Sequence, residues 1–345
     1  MVAVVDLFCG AGGLSHGFRL EGFDVLVGID TDETCRYAFE TNNEATFFRH
    51  DVAAMTAKDI RDLFGASSPT VLVGCAPCQP FSSYSQKNEN PEWQLVETFG
   101  RLIGETRPDI VSMENVPRLL RFHGGKVFER FVAMLRKTGY RVYWHEVFAP
   151  DYGVPQKRTR LVLLASRLGA IELEAPSHHP TEYRTARQAI GGLRPLTAGG
   201  IDPFDPLHRA SALSETNLRR IKAATPDGTW RDWDEDLVTP CHKAHTGRGY
   251  VSVYGRMSWD EPAPTITTQF YGFGNGRFGH PEQNRALSLR EGSILQSFPK
   301  TYEFVEPAAP VHFKNLGRMI GNAVPVRIAQ AIARTIRRHL DEVDA

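Results

Sequence analysis

Five short runs rich in β-branched residues punctuate the first half of the chain: Val2 to Phe8, Asp24 to Asp30, Thr70 to Ala76, Asp109 to Val116 and Arg160 to Ser166. Most are apolar at successive rather than alternate positions, so both faces are expected to be covered, as in strands buried within a parallel sheet. Between them, apolar residues recur at helical spacing over Leu14 to Leu20, Thr34 to Thr41, Trp93 to Thr106 and Lys126 to Thr138. In the last of these Phe128, Phe131, Val132 and Leu135 fall on one stripe. A further short strand is expected over Ala45 to Asp51. The alternation predicts an α/β, doubly wound, Rossmann-like domain with a mostly parallel sheet and ligands at the carboxyl ends of its strands.

The rhythm breaks after about residue 175. From Ala175 to Asn284 the chain is rich in Pro, Gly, Trp and His, as in PFDPLH, TPDGTWRDW and FYGFGNGRFGHP, which predicts a smaller, loop-rich second domain. Leu287 to Phe298 reads as a helix. Pro325 to Leu340 reads as a terminal helix with proline in its first turn and Ile328, Ile332, Ile336 and Leu340 on one face, expected to pack on the sheet. The expected division is 1–175 plus 313–345 for the first domain, 176–285 for the second and 286–312 for the segment that returns between them.

Length and composition alter this picture little. With 345 residues, 41% hydrophobic and 23% charged, the chain is long enough for two ordinary globular domains and neither disordered nor collagenous. The odd feature is charge: 40 Lys plus Arg balance 40 Asp plus Glu, which at first argues against an anionic partner. The total conceals an uneven distribution. Residues 1–120 carry a net of −8, residues 121–180 a net of +5 and residues 241–345 a net of +4, so a local field for phosphates is permitted. Five cysteines without a dense framework, no apolar run of membrane length and no leader pattern in MVAVVDLFCG lead us to expect a cytoplasmic protein with no membrane partner.

The candidate chemistry starts at DLFCGAGG, which follows the first strand and opens the first helix. Gly10, Gly12 and Gly13 allow a tight turn that brings bare backbone close to a ligand. Asp30 closes the second strand, where a carboxylate can accept both ribose hydroxyls, and Asp51 ends the third. Nicotinamide dinucleotide and S-adenosylmethionine sites share such an arrangement. The departure from strict G-x-G-x-x-G and the acidic surroundings, which suit a cationic sulfonium, favour the second.

GCAPCQPFS follows the strand at Thr70 to Ala76. Cys75 and Cys78 could form a redox pair or half a zinc site, but no second ligand pair completes a zinc site. On the better reading Cys75 closes the strand, while Cys78, between Pro77 and Pro80, is presented as an attacking thiolate. Glu114, in MENV at another strand end, would be costly to bury unless paired or protonated. In QKRTR, Gln156, Arg158 and Arg160 lead into the next strand, and the two arginines are expected to do different jobs.

In order and approximate spacing, DLFCGAGG, Asp30, Asp51, PCQPFS, ENV, Q-x-R-x-R, RALSLREGSILQSFP and GNAVP resemble the cytosine-5 DNA methyltransferase family, and EPAPTITTQ with GRFGHP resembles its bacterial branch. The resemblance covers nearly the whole chain except about residues 180–260. It implies a Rossmann-like S-adenosylmethionine-dependent methyltransferase domain with a smaller, loop-rich target-recognition domain over 176–285. It also implies double-stranded DNA as substrate, S-adenosylmethionine as cofactor with S-adenosyl-L-homocysteine as product, no metal, a monomer, and restriction–modification or epigenetic marking with any cognate endonuclease acting separately.

Carried over residue by residue, the catalytic set is Cys78, Glu114, Arg158 and Arg160. Cys78 would attack carbon 6 of cytosine, Glu114 would contact ring N3 and the exocyclic amine, and Arg160 would hold O2. The cofactor set is Phe8 on the adenine face, Asp30 on the ribose, Asp51 on the adenine amine, Leu95, Asn322 and Ala323 on the remainder, with Gly10, Gly12, Gly13, Thr31, Val52 and Pro77 around them. Gln79, Ser82 and Thr265 would face DNA, and Asn115 would hold the Pro77–Cys78 loop. Two departures stand out: Thr31 replaces a bulky apolar residue, and Glu92 stands where an arginine is common. A tRNA methyltransferase of the same superfamily lacks support from the Cys-Phe-Thr signature of that branch. A nicotinamide dehydrogenase leaves PCQ and Q-x-R-x-R unexplained, and an inactive DNA-binding relative is disfavoured by the presence of Cys78, Glu114 and Arg160.

Overall fold

The computed structural model describes residues 2–77, 91–245 and 247–344, in two compact units. The first comprises Met1–Tyr152, Thr159–Ser177 and Ala323–Ala345. Along it run β1 (Ala3–Leu7), α1 (Gly13–Leu20), β2 (Asp24–Asp30), α2 (Arg36–Asn43), β3 (Thr46–Arg49), α3 (Ala57–Phe64), β4 (Thr70–Gly74), α4 (Gln94–Thr106), β5 (Ile110–Asn115), α5 (Lys126–Lys137) and β6 (Arg141–Phe148). After β7 (Gln156–Lys157), which lies in the second unit, come β8 (Thr159–Ser166) and a C-terminal helix, Val326–Asp344.

Seven strands form one sheet in the order β3-β2-β1-β4-β5-β8-β6. The first five pair in parallel, and β1 and β5 are buried along their whole length, as their unbroken apolar runs require. The other end is different: β8 lies antiparallel to both β5 and β6. A dinucleotide-binding sheet runs 3-2-1-4-5-6 with parallel strands, so the antiparallel strand between β5 and β6 separates this fold from the dehydrogenase alternative. Strand β6 was not anticipated. Its residues Arg141, His145 and Glu146 are exposed at the sheet edge, so the apolar signal is diluted.

The C-terminal helix packs on α1 at close range. A Cβ on Gly17 would lie 2.3 Å from Cβ of Ala329 and 2.7 Å from the backbone of Ala329 and Gln330, so only glycine admits this crossing. The helix is also tied to β8, where Ser166 Oγ and His339 Nε2 are 2.7 Å apart in buried surroundings. No helix among the described residues is long and apolar enough to cross a membrane.

The second unit comprises Gly153–Arg158 and His178–Asn322. It holds short helices, a two-residue parallel ladder of β7 with β9 (Ala263–Pro264), and a small apolar cluster containing Ile221, Trp230, Trp233 and Phe273. Buried guanidiniums take the place of a regular sheet. Arg256 donates to the carbonyls of Ile221, Ala224, His280 and Gln283, and Arg285 holds Glu291 through two bonds of 2.7 Å. The unit runs on through residues 286–312 and the helix Phe313–Asn322, whose Gly317 lies against Tyr271 and the carbonyl of Thr268.

Candidate active site

At the carboxyl end of β1 the chain turns with Phe8, Gly10 and Gly12 at φ of 63, 51 and 87°, and α1 begins at Gly13. Two glycines adopt this left-handed backbone at little cost, while Phe8 is held in it against the main core. The turn is tied to the next strand: Gly10 N–H donates to Asp30 Oδ2 at 2.9 Å, and Asp32 N–H donates to Asp30 Oδ1 at 2.9 Å. Burial of the half-exposed Asp30 carboxyl raises its pKa, and these backbone donors offset part of that shift. Asp51 caps the turn Val52–Ala54 by accepting from Ala53 N–H at 2.9 Å, Val52 is buried and Thr31 is exposed.

Beneath this loop lies an acid to which the sequence reading gave no role. Asp6, in the middle of the apolar run of β1, has no exposed surface and accepts Ser15 Oγ–H at 2.6 Å. Desolvation pushes its pKa up to about 7, a rise the Ser15 hydrogen bond opposes and the nearby Asp30 adds to. The signal was available in the sequence: an ionisable residue inside an otherwise uninterrupted strand pattern.

A second group gathers where β4 and β5 end. Gly74 pairs with Met113, which brings Cys75 alongside Glu114. Glu114 is 2% exposed; Cys75 Sγ–H donates to its Oε2 at 3.0 Å, and Arg160 Nε lies 3.0 Å from its Oε1. The guanidinium approaches off the hydrogen-bond axis, so this contact is an ion pair. Asn115, fully buried, donates from Nδ2 to the Ala76 carbonyl at 3.0 Å and accepts from Val116 N–H at 2.8 Å. The chain is thus fixed up to Pro77. Cys78, Gln79 and Ser82 lie outside the described residues. Leu95 stands half-buried in the first turn of α4.

The two arginines of Q-x-R-x-R do different work. Arg158, 3% exposed, belongs to the second unit and donates to the carbonyls of Ile266 at 2.9 Å and Gly321 at 3.2 Å. Arg160 belongs to the first unit and faces Glu114. Gln156, fully buried, bonds Gln296 and receives the Ile266 N–H. Thr265 is anchored by donating its hydroxyl to the Lys157 carbonyl at 2.6 Å. The division between units falls between Asn322, which is exposed, and Ala323. A cavity of about 370 Å³ on the first unit is lined by Tyr143, Glu146, Tyr152 and Glu172 among others, and by none of these candidates.

The model of the family of C-5 cytosine-specific DNA methylases matches residues 2–338. Among curated relatives, the Type II methylase M.HgiDII of Herpetosiphon aurantiacus is 51% identical over 340 residues, covering 98% of this chain and 96% of that protein. The Type II methyltransferase M1.HphI of Haemophilus parahaemolyticus is 30% identical, covering 96% and 86%. Among solved structures, a candidate DNA modification methyltransferase encoded within an E. coli prophage superposes with a TM-score of 0.75 at 21% identity, covering 99% of this chain and 100% of that one. At that identity the likeness concerns the fold alone.

Proposed function

We propose, from the premise that the chain belongs to the C-5 cytosine-specific DNA methylase family and is a DNA (cytosine-5-)-methyltransferase, that it modifies a cytosine flipped out of duplex DNA, using S-adenosylmethionine and a covalent bond from Cys78. The observation that carries this reading is Glu114. It is an acid buried at the end of β5, with Cys75 on one oxygen and Arg160 on the other, at the mouth of the strand from which Cys78 follows.

The residues of the glycine turn fit the cofactor. Asp30 is a half-buried carboxylate held in place by two backbone N–H groups, beside bare glycine backbone, and Asp51 follows the adjacent parallel strand β3. Asp30 would hold the ribose, Asp51 the adenine amine and Phe8 the adenine face, with Gly10, Gly12, Gly13, Thr31, Val52, Pro77, Leu95, Asn322 and Ala323 around them. When bound, S-adenosylmethionine supplies a methyl group made electrophilic by its sulfonium.

The chain's own work is to make carbon 5 of cytosine reactive. Addition of the Cys78 thiolate to carbon 6 interrupts the aromatic ring and turns carbon 5 into the nucleophilic end of an enamine. Once carbon 5 is methylated, loss of its proton to a base and elimination of the Cys78 sulfur from carbon 6 restore the ring and the free thiolate. Glu114 contacts N3 and the exocyclic amine as charge develops, and Arg160 holds O2. Arg158 acts at a distance by fixing the Ile266 and Gly321 carbonyls, so it is a positioning residue in this scheme. Flipping the base costs roughly a few kcal/mol of unstacking. Gln79, Ser82 and Thr265 are assigned to the DNA strand, and residues 176–285 to sequence recognition. As with the Type II relatives, the setting is restriction–modification.

The test is transfer of labelled methyl from S-adenosylmethionine to duplex DNA, to tRNA and to no acceptor, with Cys78→Ser as control. We expect transfer to DNA alone, abolished by the substitution, and a stable adduct with DNA containing 5-fluorocytosine. Transfer to tRNA instead, or undiminished transfer by Cys78→Ser, overturns the reading.

A further inference from the structure

Cys75 is not needed as a nucleophile in this scheme, yet both its backbone and its thiol are held. Its N–H donates to the Leu7 carbonyl at 3.3 Å, which extends the β1–β4 pairing one residue past Gly74. The carbonyl of the next residue, Ala76, is held by Asn115. With the backbone clamped from β1 on one side and from the end of β5 on the other, the thiol is aimed at the carboxylate of Glu114, at 3.0 Å.

The chemistry of that contact is specific. A buried carboxylate needs compensation on both oxygens: Arg160 meets Oε1 as an ion pair, and the Cys75 thiol supplies the hydrogen bond on Oε2. A thiol is a weak donor: it can orient Oε2, but it yields easily to a stronger N–H. We infer that Cys75 is a positioning residue for Glu114, a placeholder that holds Oε2 in line and gives way to the exocyclic amine of the target cytosine. A hydroxyl at this position can do the same; a methyl group cannot. The inference rests on the proposed role of Glu114.

The experiment compares wild type with Cys75→Ala and Cys75→Ser, measuring single-turnover methyl transfer to duplex DNA together with KM for DNA and cofactor and thermal unfolding. For Cys75→Ala we expect the turnover rate to fall about three- to tenfold, the scale of one ordinary hydrogen bond as suits a weak thiol donor, with both KM values within about twofold. Cys75→Ser should restore the rate. An unchanged rate in Cys75→Ala, or a Cys75→Ser as impaired as Cys75→Ala, overturns the inference. Cys78→Ser and Glu114→Gln, run alongside, keep the two questions apart. If both are inactive while Cys75→Ala is normal, only the role of Cys75 fails; if either remains active, the reading of the site itself fails.

Discussion

Arg160 and Glu114 form a nearly dry ion pair, Nε to Oε1 at 3.0 Å, with side chains 12% and 3% exposed. Removing one member of such a pair strands the other. We expect Arg160→Ala to lower stability by about 3 kcal/mol, towards the lower end for a broken buried pair, and to cut methyl transfer by roughly a hundredfold or more. Glu114→Gln keeps the shape and removes the charge, so it should cost less stability and as much activity. Denaturant unfolding and single-turnover transfer check both; a well-folded, fully active Glu114→Gln contradicts the assignment.

Arg158 offers the contrast, two residues away in the same motif. Its guanidinium holds the carbonyls of Ile266 and Gly321 while 3% exposed. We expect Arg158→Ala to lower stability by about 2–4 kcal/mol through buried carbonyls that lose their donor. Transfer per folded molecule should change less than about tenfold, well short of the loss at Arg160. A loss equal to that of Arg160→Ala in a normally stable protein would show that Arg158 meets the base itself.

How much of this was legible in the sequence depended on how local the signal was. Strands β1, β2, β4, β5 and β8 were visible because each is an apolar run, and α5 because Phe128, Phe131, Val132 and Leu135 form the stripe that becomes its buried face. The edge strand β6 and the short helix α3, with only Ile60 and Phe64 buried, lacked such a signal. The antiparallel insertion of β8 is a matter of pairing, which no run of residues encodes by itself. At the site, Glu114, Arg160 and Asn115 were visible as motif members. The aim of Cys75 at Glu114 depends on a backbone clamp between β1 and the end of β5 that exists only in the folded chain.

Gly17 tests the packing beneath the glycine turn. An added methyl would meet Cβ of Ala329 at 2.3 Å, and helix backbone cannot retreat as a flexible side chain can. We expect Gly17→Ala, normally favourable inside a helix, to destabilise by about 2–4 kcal/mol by forcing α1 and the C-terminal helix apart. Calorimetric melting checks the sign; an unchanged or raised Tm would contradict the crossing. Ala329→Gly in the same protein should recover part of the loss, since it removes the nearest atom.

Asp6 makes the stability of the first unit depend on pH in a stated direction. Its carboxyl titrates near 3.8 when exposed and at about 7 in the folded chain, desolvation outweighing the Ser15 hydrogen bond. Below pH 3.8 both states hold the proton and the contribution to stability is complete. As pH rises from there to about 7 the unfolded chain releases its proton first, and stability is progressively lost. Asp6→Asn keeps an acceptor for Ser15 Oγ and removes the titration. Its advantage over wild type should therefore be small in acid and grow by about 2 kcal/mol between about pH 5.5 and about pH 8.5, most of it gained before about pH 7.5. Denaturant unfolding without cofactor, at several values across that range, measures the difference. A gap that stays constant with pH, or narrows as pH rises, would mean that Asp6 is already ionised in the folded protein and that a buried donor other than Ser15 stabilises its charge.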